Sequence, residues 1–197
     1  MLNRLLLLLT GLLAAYQVSA GVDGFATLPV IAYTLGFGVL LVAGLLLIIL
    51  GMEVLDSPLV VIVSSIIPLS LSLGLVWQHL PAFRTLYPVF TLLAFAGIIA
   101  TRLLPAPGRL ATLVLAFTHG IAGLVIFLLP IILAVKGVMA PAFSLVGVGG
   151  ALIGLGGLLL SFLKVGKPLL SKETIFTLLP VILFLMTLCL VAGFRYA

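Results

Sequence analysis

The chain has 197 residues, 64% hydrophobic and 7% charged, with nine Lys and Arg against four Asp and Glu. A soluble globule carries about 25% charged residues, so this composition excludes a water-covered surface and places essentially the whole chain in a bilayer. The gaps between its apolar runs are too short to hold a soluble active site, a nucleotide or a nucleic acid, and the +5 net charge reports basic helix ends rather than a nucleic-acid footprint.

Seven apolar runs follow one another, at 4–20, 25–51, 58–79, 86–103, 109–135, 140–163 and 173–194. Most are near the ~20 residues an α-helix needs to cross a ~30 Å hydrocarbon core. Charged side chains fall in the gaps or at the edges of the runs. The expected fold is therefore all-α, a polytopic membrane protein forming one domain, a bundle of seven transmembrane helices.

In the first run, Arg4, the stretch Leu5 to Leu13 and Val18-Ser19-Ala20 before Gly21 resemble a secretory signal peptide with a small-residue cleavage site. A retained first helix or signal anchor is the expectation. Between the second and third runs, Glu53 and Asp56 share a turn that reads as solvated, and Asp56-Ser57-Pro58 reads as a helix cap followed by proline in the first turn.

Prolines stand inside runs at Pro29, Pro68, Pro88, Pro130 and Pro180. Pro68, near the middle of the third run, is expected to kink its helix and to free a carbonyl that Ser64, Ser65, Ser70 or Ser72 then satisfies. The run ends in Trp77, Gln78 and His79 before Pro81, an amphipathic cluster of the kind that anchors a helix end at the interface.

His119 lies about ten residues into the fifth run, ~15 Å deep at 1.5 Å per residue and near the bilayer centre. A polar ring at that depth is functional by default, and packing through a hydrogen bond to a neighbouring backbone oxygen is the competing role. The cofactor-binding alternative is a haem or a chlorophyll-type pigment ligated by His119 alone, no cofactor being the main expectation. A bis-histidine haem with His79 is argued against, because it needs ligands at nearly the same depth and the two rings differ by roughly 15 Å on the same rise per residue.

Ala140-Pro141 marks the start of the sixth run, which carries the clearest packing signal. Gly147, Gly150, Gly154 and Gly157, extended by Ser144 and Ser161, form a smooth helical stripe that lets another backbone approach. Ser171 before Lys172-Glu173 is a further N-cap. Cys189, the lone cysteine, reads as a buried thiol with no disulfide or metal role.

An internal repeat fits spans two to four onto spans five to seven, giving one helix plus two inverted three-helix repeats. Pro58 and Pro141 then open equivalent helices, and Thr85-Leu86-Tyr87-Pro88-Val89 matches Thr177-Leu178-Leu179-Pro180-Val181. Counting Lys and Arg in alternate gaps puts Arg4, Arg102, Arg109, Lys164, Lys167 and Lys172 on one side and Arg84, Lys136 and Arg195 on the other. The positive-inside bias makes the N-terminus cytoplasmic and the plasma membrane the expected location.

The four acidic residues all lie at helix ends, so no general acid–base pair is assembled and no metal site or phosphate loop is spelled out. The chain reads as a non-enzyme. The leading expectation is a non-catalytic integral membrane subunit or scaffold that packs against other membrane proteins or itself. The alternatives are a small carrier or channel for a neutral or apolar solute, and the pigment or haem binder through His119.

Overall fold

The computed structural model describes residues 2–105, 108–164 and 169–197, the side chains of Asp56, Ser161 and Lys164 excepted. Of the residues singled out above, Lys167 and those three side chains lie outside the described residues. Seven α-helices are formed: α1 (Leu2–Ala20), α2 (Thr27–Leu50), α3 (Pro58–His79), α4 (Leu86–Leu103), α5 (Gly108–Val135), α6 (Ser144–Lys164) and α7 (Lys172–Phe194). Spans covering all seven are long and apolar enough to cross a membrane, as a multi-pass protein requires, and the described residues form no strand.

The boundaries are set by local chemistry of unequal strength. At α7 the Ser171 hydroxyl accepts from the Thr174 amide at 3.2 Å, satisfying one of the orphan donors of the first turn. At α3 the sequence expectation needs correction. Ser57 occupies the cap position and Pro58 opens the helix, but the serine side chain makes no cap bond. Its amide instead donates to Val54 at 3.0 Å, closing the 3-10 turn Met52–Asp56 that precedes it. Likewise Pro141 opens a one-turn 3-10 segment, Pro141–Phe143, and α6 starts only at Ser144.

Buried serine and threonine hydroxyls bond within their own helices, as apolar surroundings require. Thr10 donates to Leu6, Ser65 to Val61 and Thr187 to Leu183, all at 2.7–2.8 Å. The serines around Pro68 do the same: Ser64 and Ser65 reach Val61, Ser70 reaches Ile67 and Ser72 reaches Leu69. None of these bonds goes to Ser64, whose carbonyl a proline at 68 leaves without its helical donor. α3 runs unbroken through the buried Pro68.

Six helices pack in a closed ring, α1 on α2, α2 on α3, α3 on α5, α5 on α6, α6 on α7, and α7 back on α1. α4 stands outside it, packed on α3 and α5. The order of the ring pairs α1–α2–α3 with α5–α6–α7, and α4 links the halves. Within each half the second and third helices meet through the same device. A Cβ added at Gly36 of α2 would touch Leu71 of α3 at 3.4 Å, and Tyr33, three residues earlier, lies against Gly74. In the other half a Cβ at Gly149 would touch Leu190 of α7 at 2.8 Å, and Val146, three residues earlier, lies against Gly193.

This correspondence differs from the one expected from the prolines. Thr85 precedes the first residue of α4 whereas Thr177 is already well inside α7, so the two matching pentapeptides sit at different heights in their helices.

One end of the ring is filled by aromatic side chains. Phe25, Tyr33, Phe194, Phe143 and His79 form a closed circuit in which successive ring centroids are 5.9, 4.5, 6.3, 5.6 and 5.6 Å apart, the last step returning to Phe25. Phe37 joins it through Phe194 at 6.1 Å. Such tilted and edge-on pairs are favourable beyond their area. This is the end at which α1, α3, α5 and α7 finish. Below it the core continues through Leu71, Leu75, Ile126, Val146 and Leu190.

Candidate functional site: a cleft at His119

The half of the ring away from the aromatic circuit is filled on its α6–α7 side, where Leu159, Ile175, Leu179 and Ile182 form a second core, and is open between α3, α5 and α6. The cause is visible in the glycines of α6. A Cβ added at Gly147 would lie 2.5 Å from the carbonyl oxygen of Phe127, and one at Gly150 would lie 2.8 Å from the backbone of Ile126 and Phe127. There α5 and α6 are in backbone contact. One turn further along, a Cβ at Gly154 or at Gly157 would meet nothing within 4 Å. Over the same length α6 keeps its contact with α7, where a Cβ at Gly156 would lie 3.5 Å from Ile182. So α6 stays on α7 and parts from α5.

The parting leaves a cleft of about 620 Å³ between α3, α5 and α6, bounded by Val60, Val61 and Ser64 on one side and by Gly150, Gly154 and Gly157 on another. His119 stands on its α5 wall with Gly120 and Gly123 beside it. Those two glycines also have nothing within 4 Å of a Cβ position. Two features that the sequence offered separately, the glycine stripe and the mid-membrane histidine, thus share one site. Gly147 and Gly150 serve helix contact, while Gly154 and Gly157 line the cleft. Gly120 and Gly123 escaped the sequence reading. The signal for them was the spacing of small residues next to His119, facing a second glycine-rich helix.

The His119 ring is half-buried, and its Nδ1 lies 3.0 Å from the carbonyl oxygen of Leu115, one turn back in α5. A carbonyl only accepts, so Nδ1 carries the proton. In an apolar wall the uncharged ring is the stable form, and its Nε2 then keeps a lone pair. The backbone bond fixes the tautomer and the ring orientation, which is how an imidazole is held ready to accept a hydrogen bond or to ligate a metal through Nε2.

The cleft rim includes Leu124 and Leu158, 57% and 51% exposed. With α1 to α7 in a membrane these side chains face hydrocarbon, and the cleft opens sideways to it between α5 and α6. Arg102, in the last turn of α4, suits the negative end of that helix. Its buried Nε has no hydrogen-bond partner among the described residues.

The remaining candidates lie elsewhere. His79 belongs to the aromatic circuit at the end of α3, and its buried Nε2 and the buried hydroxyl of Tyr33 lack hydrogen-bond partners among the described residues. Around it, Gln78 accepts from the Ala26 amide at 3.3 Å and Arg84 donates to the Trp77 carbonyl at 2.7 Å. These bonds tie neighbouring segments to the end of α3. Pro68 is buried in α3 and lines neither the cleft nor the adjoining chamber described below. Cys189 is only half-buried in α7, less enclosed than the sequence suggested. Among the described residues no three of His, Cys, Asp and Glu come together as a metal site.

No protein family, no characterised protein and no solved structure matches this chain.

Proposed function

We propose that the chain is a membrane carrier for a small, largely apolar molecule, which enters the cleft sideways from the bilayer and is held by one hydrogen bond to Nε2 of His119. The observation that carries this reading is the cleft itself. Four glycines keep open space around an oriented histidine, where any other side chain would fill it. At about 620 Å³ its size falls within the ~300–1,000 Å³ typical of small-molecule sites, and such sites are mostly apolar with few polar groups. A ring of two three-helix halves, filled at one end and hollow at the other, is also the plan expected of a carrier that opens to one side at a time. The activity is non-catalytic in this reading: His119 is the one titratable side chain among the described residues that line the cleft, and the Arg102 guanidinium whose charge reaches it is a permanent cation that cannot accept a proton.

The bias of Lys and Arg supports a cytoplasmic N-terminus and a plasma-membrane location. The hollow half then faces the cytoplasm and the aromatic circuit faces outward. The inverted pairing of spans two to four with five to seven is not needed by this reading.

The test is thermal unfolding of the purified protein in detergent with 1-octanol or n-octane at equal mole fraction in the micelle. Ligand binding to the folded state raises the melting temperature. The alcohol should stabilise more than the alkane, His119→Gln should retain that preference through its amide oxygen, and His119→Leu should lose it. Equal effects of both compounds on the wild type sink the proposal. A visible absorbance band in the purified wild type, lost in His119→Gln, replaces it with the pigment or haem reading.

A second reading, a non-catalytic subunit that packs against other membrane proteins, draws on α4. This helix lies outside the ring and exposes Leu86, Leu92 and Leu93 at 65–71%. Purification from the native membrane in mild detergent decides it, since a stable co-purifying membrane protein favours the subunit and a lone chain the carrier.

A further inference from the structure

The cleft is not the only space in the hollow half. A second chamber of about 320 Å³ lies between α1, α2, α3 and α7, and Leu55, Val60, Ser64 and Leu160 line both. The two spaces therefore adjoin at these side chains. Their chemistry differs. The chamber holds two hydroxyls, of Thr10 and Ser64, and each already donates to its own helix, at 2.8 Å to Leu6 and 3.2 Å to Val61. The rest of its lining is aliphatic or sulfur-bearing, with Leu40, Ala43, Leu47 and Leu183 among it. With both donor protons engaged, the chamber keeps only these two hydroxyl oxygens as acceptors, and its otherwise aliphatic lining suits hydrocarbon. The cleft, by contrast, offers Nε2 of His119.

We infer that the ligand is a single-chain amphiphile whose hydrogen-bond-donating head group meets His119 in the cleft and whose hydrocarbon chain passes over Val60 and Leu160 into the second chamber. The inference rests on the carrier reading above and adds the ligand's class. One polar anchor at one end and an apolar compartment at the other match a long-chain alcohol or a prenol. Taking about 30 Å³ for a water-sized group, the chamber has room for roughly ten such groups, enough for most of one chain.

The inference is tested with 1-octanol, 1-dodecanol and 1-hexadecanol at equal mole fraction in the micelle. Micelle and chamber are both hydrocarbon, so any gain with chain length reports contacts inside the protein rather than escape from water. In the wild type the rise in melting temperature should grow from the short alcohol to the long one. Ala43→Phe fills the second chamber, and it should abolish that growth while keeping the rise produced by 1-octanol. A wild type indifferent to length, or a growth unchanged in Ala43→Phe, overturns the inference and leaves the carrier reading standing. No response to an alcohol of any length defeats the carrier reading itself. Should Ala43→Phe not fold, a hexadecanol with a terminal diazirine is photolysed in the wild type. Labels on α2 or α7 support the passage into the second chamber, and labels confined to α5 and α6 exclude it.

Discussion

At the scale of single residues, Gly150 and Gly154 are chemically the same and differ only in what faces them. An alanine at 150 must place its Cβ 2.7–2.8 Å from Ile126 and the Phe127 amide, closer than a side chain tolerates, so backbone has to move. Gly150→Ala should therefore cost about 1–3 kcal/mol, the usual range for overpacking. At 154 the added methyl meets nothing within 4 Å, and alanine is the better helix former by about 1 kcal/mol. Gly154→Ala should then leave stability unchanged or raise it. Thermal melts of the two variants check the sign directly, and equal losses would mean that α5 and α6 do not part. The one-turn spacing that suggests packing in the sequence carries no information about the angle between two helices, so it does not distinguish Gly147 and Gly150, in contact with α5, from Gly154 and Gly157, which line the cleft. His119 was legible because a histidine at mid-membrane depth is rare and needs a reason.

At the scale of elements, the seven helices were legible with most bounds within two residues, the start of α6 excepted, since bilayer thickness sets a minimum apolar length and charged residues mark where it ends. Caps were less so. Asp56-Ser57-Pro58 and Ser171-Lys172-Glu173 look equally good as helix starts, yet of the two serines Ser171 accepts a first-turn amide and Ser57 does not; the Ser57 amide closes the preceding 3-10 turn, and its hydroxyl caps nothing. Ser171→Ala should consequently cost about 1 kcal/mol, within the 0.5–2 range for lost N-caps. Ser57→Ala should cost less. The check is the difference between the two variants in melting temperature, together with faster amide exchange at Thr174 in the first. α4 was legible as a span and not as an outsider to the ring, since packing outside a ring or within it requires the same apolar length.

At the scale of the whole molecule, the direction of the hollow half decides what the cleft is for. All seven helices cross if the bundle spans the membrane, so the two sides are fixed once one connection is placed. The connections at the hollow end include Glu53 after α2, Arg102 and Arg109 between α4 and α5, and Lys172 before α7. Asp23, Arg84 and Lys136 lie at the end closed by the aromatic circuit. If the basic side is the cytoplasmic one, as proposed above, the sideways opening of the cleft lies toward the cytoplasmic leaflet, and Phe25, Tyr33, His79, Phe143 and Phe194 separate it from the outside. Single-cysteine labelling tests this on a Cys189→Ser background. Leu169→Cys, at a position 61% exposed, should react with a membrane-impermeant maleimide in inside-out vesicles and not in intact cells. Asp23→Cys, at an exposed position after α1, should do the reverse. Reaction of both from one side would break the seven-span count, and exchange of the two patterns would turn the hollow half outward.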